Sequence, residues 1–234
     1  MANRLFRILA AALFAISLLV LIIVTNVRLL ILDPDVYLSI QVTNGVLVSS
    51  GLPESTLRAA DTSLAAYFGR KEASLDAELK RQGLPSDFFN ARESDHLADV
   101  KDLIWRAIAL QQMALGYVAL FLVAAFLLGP KRFLSRVRAP LLWGAGLTLA
   151  LLVVFGVLSQ IDFSGLWLLF HFISFTNDLW MLDPSTDNLL KMAPEVVWLN
   201  GTIMVGVYSA AEALGIGAVV ALLYWRWPGA RQSN

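Results

Sequence analysis

The chain has 234 residues, 58% of them hydrophobic and 15% charged, with a mean hydropathy of +0.67 and a formal net charge of zero. That balance is too apolar for an ordinary soluble domain and describes an integral membrane protein. The absence of cysteine excludes disulfides, zinc–thiolate sites, iron–sulfur clusters and a cysteine nucleophile together.

A bilayer core of about 30 Å takes about 20 apolar residues per helix. Four stretches are long enough: Leu5 to Leu32, Ile104 to Leu128, Ala139 to Gln160 and Leu199 to Trp225. The first, "MANRLFRILAAALFAISLLVLIIV", has the basic start of a secretory signal. Its apolar run exceeds the 7 to 15 or so residues of a signal core, and no small-residue cleavage site follows before "LLILDPD". An uncleaved helix is expected. Lysine and arginine concentrate on the cytoplasmic side of membrane proteins. Here Arg4 and Arg7, then Lys131, Arg132, Arg136 and Arg138, then Arg226 and Arg231 occupy three segments without an acid, while the other two connections hold seventeen of the eighteen acids. Both termini are therefore expected inside.

The resulting plan is a membrane all-α bundle of four transmembrane helices with a small extracytoplasmic α+β cap. Helix 1 takes residues 1–32, the cap 33–103, helix 2 104–129, a cytoplasmic loop 130–138 and helix 3 139–160. An extracytoplasmic interfacial segment and loop follow at 161–198, then helix 4 at 199–225 and a cytoplasmic tail at 226–234.

Within the cap, "VYLSIQVTNGVLV" reads as two β-prone runs around Asn44-Gly45, a pair suited to a type I′ hairpin turn. Pro53 and Glu54 stand where a helix starts, and "ASLDAELKRQG" ends on Gly83 as a helix C′ residue does. Ser94 and Asp95 offer an N-cap to a helix running through "HLADVKDLIWRAIALQQM" into the second span.

His96 and His171 are the two histidines of the chain. His96 precedes the second span by eight residues, about 12 Å along an upright helix. Asp99, at i+3, is placed to orient its ring, although the stretch alone reads first as a solvated histidine on a charged helix. His171 lies in "FSGLWLLFHFISF", a run of about 13 residues, too short to cross a bilayer and rich in the aromatics of a lipid interface. The polar stretch "TNDLWMLDPSTD" then supplies turn chemistry through Asn177, Asp178, Asp183-Pro184 and Asp187. An imidazole has a pKa near 6.5 in water, suited to proton transfer, and burial near lipid lowers it.

The pattern "ESDHLADVKDL" before the second span, with "LFHFISFTNDLWMLDPSTDNLLKMAPE" between the third and fourth, resembles the lipoprotein intramolecular transacylase family of bacterial membrane proteins. The four-helix plan, the outward cap and "YLSI" after the first helix agree, so the likeness covers most of the chain. The resemblance implies a bacterial cell-membrane enzyme with its site facing outside. It moves one acyl chain from the glyceryl group of a diacylglyceryl-modified lipoprotein cysteine to the α-amino group of that residue, with His96 and His171 as the catalytic pair. Asp99, Asn177, Asp178, Trp180, Asp183, Asp187 and Arg106 are the weaker candidates, for orientation or substrate binding.

The chemistry suits these residue types. An α-amino group with a pKa near 7.7 to 8.0 is largely protonated at neutral pH, so one imidazole takes its proton and the other protonates the departing alkoxide. With amine and ester in one substrate, no enzyme nucleophile is required, in keeping with a chain that has no cysteine and no G-x-S-x-G elbow. An acyl-histidine route stays open. No cofactor is expected, two histidines without His-x-x-x-His spacing argue for no metal, and acidic outer regions argue against nucleic acid. Glu212, near the middle of the fourth span, reads as a protonated residue hydrogen-bonded between helices. Arg28 and Arg106 snorkel to headgroups or hold a loop carboxylate, and "GAG" at 144–146 and "GIG" at 215–217 serve close helix packing. The rival readings are a non-enzymatic scaffold or small-solute carrier, and a lipid ester hydrolase using the same histidines.

Overall fold

The computed structural model describes residues 2–226, so residues 227–234 of the expected cytoplasmic tail, Arg231 among them, lie outside the described residues. In chain order the helices are α1 (Ala2–Leu32), α2 (Pro34–Thr43), α3 (Val46–Ser50), α4 (Glu54–Gly69), α5 (Leu75–Arg81), α6 (Ala91–Leu127), α7 (Phe133–Ser174), α8 (Asn188–Met192) and α9 (Glu195–Arg226), with a 3-10 turn at Pro130–Arg132 before α7. Four helical stretches, Arg4–Leu32, Ala91–Leu127, Pro130–Ser174 and Glu195–Arg226, are long and apolar enough to cross a membrane.

The described residues contain no strand, which corrects the expected α+β cap: the cap is all-helical. The misread segment is Val36–Val48. Asp33 accepts hydrogen bonds from the backbone of Asp35 at 3.1 Å and Val36 at 3.2 Å, and Pro34 sits at the first helical position. Together they start a helix that overrides the weak β preference of valine and isoleucine. Leu38 and Gln41, three apart, are the buried positions of α2, a helical spacing. Asn44-Gly45 does turn the chain, with Gly45 at φ 72°, but it joins α2 to α3.

Other local signals hold. Helix α4 begins at Glu54 behind Pro53, and α5 ends ahead of Gly83, whose φ of 77° is the left-handed conformation a C′ glycine supplies. Helix α6 starts before the expected Ser94-Asp95 cap. Asn90 Oδ1 accepts from Glu93 N at 3.0 Å and Glu93 Oε2 accepts from Asn90 N at 2.7 Å, a reciprocal capping box. In α7, Asp162 leaves helical geometry at φ −158°, ψ 86°, and its carboxylate accepts from Gly165 N at 2.8 Å. It thereby caps the 163–174 segment that carries His171. A Cβ on Gly165 would lie 2.3 Å from Asp162 Oδ2, so this cap needs glycine there.

The chain forms two compact units. The first comprises residues 1–26, 108–156 and 206–234. Its buried cluster is Phe14, Leu18 and Ile22, flanked by Tyr117, Phe121, Leu141 and Ile216. Gly144 serves close packing there, since a Cβ would meet Leu18 at 2.7 Å and the Ala15 carbonyl at 3.2 Å; Gly146, Gly215 and Gly217 have nothing within 4 Å and do not. Asn26 Nδ2 donates to Ser209 Oγ at 3.2 Å and Glu212 Oε2 at 3.1 Å, so Glu212 has a partner on another helix while staying exposed.

The second unit, residues 27–107 and 157–205, holds the larger core. Leu38, Leu57, Phe68, Leu79, Phe89, Leu97, Met192 and Val197 are buried in it. Gln41 Nε2, fully buried, ties α2 to α4 through Asp61 Oδ1 at 3.1 Å and to the end of α8 through the Met192 carbonyl at 3.0 Å.

Candidate active site

Both histidines lie in the second unit, and the fold brings them together. Their ring centroids are 6.1 Å apart and the planes are inclined at 33°. Each is nearly buried, His96 at 6% and His171 at 8% exposure. His96 rides on the first turns of α6 and His171 on the last turns of α7. Phe175 closes the pair, 5.1 Å from His96 and 5.8 Å from His171. Trp167 and Phe170 present edges to His171 at 4.8 and 5.3 Å, and Trp180 lies over it at 4.9 Å.

The two rings differ in how they are held. His171 Nδ1 is 2.7 Å from the carbonyl oxygen of Trp167, one turn earlier in α7. A carbonyl only accepts, so Nδ1 carries the hydrogen and Nε2 keeps its lone pair. His96 Nδ1 is buried with no hydrogen-bond partner, an orphan in a structure where such atoms are few.

Of the remaining expected site residues, Asn177, Asp178, Asp183 and Asp187 lie in the returning loop and Asp99 bonds to it from α6. Asp99 does not hydrogen-bond the His96 ring as the i+3 spacing suggests; its Oδ2 accepts from Asn177 Nδ2 at 2.8 Å. Asn177 is thereby drawn into fastening the loop to α6, its Oδ1 accepting from Leu179 N at 3.1 Å and its carbonyl from Trp180 Nε1 at 2.9 Å. The last bond holds the indole on His171. Arg92 donates to the Asp178 carbonyl and pairs with its carboxylate at 3.5 Å. Asp183 closes a local turn by accepting from Ser185 N at 2.8 Å and Ser185 Oγ at 2.7 Å, which holds its carboxyl below the usual carboxylate range. Asp187 is buried and accepts from Asn90 Nδ2 at 2.8 Å and Asp183 N at 2.7 Å. Arg106 is exposed, ten residues beyond His96 along α6, or about 15 Å; it is not part of this cluster, nor is Arg28. Among the described residues no group of three or more His, Cys, Asp and Glu side chains is arranged to hold a metal.

Sequence reasoning misses Glu93, Asn90, Trp167 and Phe175. The motif Asn-x-x-Glu at 90–93 is the available signal for the first two. Nothing local marks the aromatic residues as ring neighbours.

Four membrane-length helices and a buried histidine pair under an aromatic, turn-rich loop define an all-helical integral membrane protein with an enclosed, titratable site. The family model for the lipoprotein intramolecular transacylase Lit matches residues 12–198, and the chain belongs to that family. No curated protein matches it in sequence. The in meso structure of the membrane integral lipoprotein intramolecular transacylase Lit from Bacillus cereus is similar at 16% identity and a TM-score of 0.77, covering 94% of this chain and 97% of that one. Two structures of the same Bacillus cereus protein with a histidine mutated, to arginine in one and alanine in the other, each have 15% identity and a TM-score of 0.73 over 96% of this chain, covering 94% and 96% of theirs. Membership brings a lipoprotein transacylase role.

Proposed function

We propose that the protein moves one fatty acyl chain within a single lipoprotein molecule, from the diacylglyceryl group of the N-terminal cysteine to that residue's own α-amino group. The observation that carries this reading is the meeting of His96 and His171, the only histidines of the chain, buried with 6.1 Å between ring centres. The site opens to the outer leaflet, with both termini and the Lys131–Arg138 connection in the cytoplasm, an orientation supported by the partition of basic and acidic residues.

His171 is the base. Its Nε2 lone pair takes a proton from the ammonium, and the freed amine attacks the ester carbonyl. The tetrahedral intermediate collapses with loss of the glyceryl oxygen, which receives the proton with His96 as the relay. One C–N bond forms and one C–O bond breaks; of the two protons the ammonium nitrogen gives up, one passes to the glyceryl oxygen and the second is released to solvent. Because nucleophile and ester share one molecule, correct orientation contributes about 7 to 11 kcal/mol toward the barrier. The product is a lyso-form lipoprotein, N-acylated with one O-acyl chain.

Purified protein supplied with a synthetic diacylglyceryl lipopeptide tests this by mass spectrometry of the lipopeptide terminus. Wild type should shift one acyl chain to nitrogen, and His96→Ala or His171→Ala should slow the shift by about 10²- to 10⁴-fold. Free fatty acid as the product would make the protein a hydrolase, and a free amino group beside abundant folded protein would end the transacylase reading.

A further inference from the structure

The capping box at the head of α6 spends only half of its hydrogen-bonding capacity on its own helix. Glu93 Oε2 accepts from Asn90 N, while Oε1 reaches across to Leu189 N at 2.6 Å. Asn90 Oδ1 accepts from Glu93 N, while Nδ2 donates to Asp187 Oδ1 at 2.8 Å. Asn188 Nδ2 adds a bond to the Phe88 carbonyl at 2.6 Å. Glu93 and Asp187 are only 1% and 6% exposed, and none of these hydrogen-bond partners is a cation. Two carboxylates buried against neutral donors are costly to place, and their bonds, each assisted by charge, fix direction more firmly than neutral ones.

The location gives this clasp its meaning. Glu93 lies one turn ahead of His96 on α6. Residues 187–189 end the loop that leaves the His171 helix at Ser174 and carries Trp180 over the His171 ring. We propose that Glu93, together with Asn90, is a positioning residue of the active site: the clasp pins the returning loop to the head of α6 and so sets how His96 and His171 face each other. The catalytic consequence rests on the transacylase reading above.

Asn90→Ser separates capping from clasping, because serine caps a helix as well as asparagine does but has no amide to reach Asp187. Glu93→Gln keeps the side-chain length and sets an amide nitrogen against one of the two backbone N–H donors. In the full-length protein in detergent or nanodiscs, both variants should lose at least about tenfold in kcat with KM within about twofold, as misplaced catalytic groups do. The melting temperature of Asn90→Ser should stay near wild type. Nitrogen-15 labelling of histidine reports two rings only, and both variants should shift those ring signals. Wild-type kcat with unmoved ring signals would overturn the proposal, as would a loss of kcat that follows a lowered melting temperature while the rings of the folded protein stay unmoved. If wild type transfers no acyl chain, the catalytic reading fails, and the ring signals alone still decide whether the clasp sets the pair.

Discussion

The first unit of this chain and the 33–103 segment of the second expose the same residue types very differently. In the first unit, Leu120, Val219 and Leu222 stand 66%, 55% and 57% exposed, and three residues make up the buried cluster. Between residues 33 and 103 of the second unit, only Val42 and Val48 are large exposed hydrophobics, and fourteen buried residues form the core of that unit. Lipid is as apolar as leucine, so a membrane helix gains little by hiding such a side chain, and its contacts depend on close fit and a few polar ties such as Asn26 with Ser209 and Glu212. The 33–103 segment instead buries its apolar area and ties most of the polar groups it encloses, as Gln41 is tied to Asp61 and Met192.

That contrast can be broken most sharply in the core of the second unit. Phe89, 2% exposed and packed edge-on to Phe88 at 4.9 Å, should lose about 3 to 5 kcal/mol of stability as Phe89→Ala, whereas Leu120→Ala should stay within about 0.5 kcal/mol. Thermal unfolding in one detergent measures both, and equal losses would show that lipid-facing side chains contribute as much to the fold as core ones.

A pH series sharpens the polar side of the comparison. Burial pushes the Asp61 carboxyl from 3.8 up to about 7, against the opposing effects of the Gln41 hydrogen bond and the Arg58 charge. The folded state therefore holds this proton more tightly than the unfolded chain. Stability should fall as pH rises from about 4 to about 7, by an amount on the order of a few kcal/mol, and level off above. Asp61→Asn should flatten that part of the profile; a slope that survives the substitution belongs to another group. The smallest effect is expected in the membrane unit, where Gly144→Val drives methyl groups into Leu18 and the Ala15 carbonyl and should cost about 1 to 3 kcal/mol. Gly146→Val, with open space around it, serves as the control.

Much of the scaffold is legible in the sequence because the signals are local. Pro53-Glu54 and Gly83 mark helix ends by backbone preference alone. Asn90-x-x-Glu93 is an equally readable start for α6, whereas Ser94-Asp95, the cap expected there, lies inside the helix. The hairpin expected at 36–48 fails because β propensity is a weaker force than Asp33-Pro34, whose cap and fixed φ direct the chain into a helix. Asp99 fails as a partner of His96 for a different reason: i+3 spacing makes contact possible, and a better donor, Asn177, arrives from a segment far along the chain.

The amino-acid sequence by itself determined the four apolar membrane-length segments, the partition of charge between them and the presence of two titratable rings, since these depend on composition and near-neighbour preference. Only tertiary structure decided that the rings lie 6.1 Å apart, that Asp99 ties to Asn177 and not to His96, and that Glu93 spans to Leu189. Those outcomes rest on contacts between distant segments, whose formation depends on how whole helices pack and on which buried donor finds which acceptor.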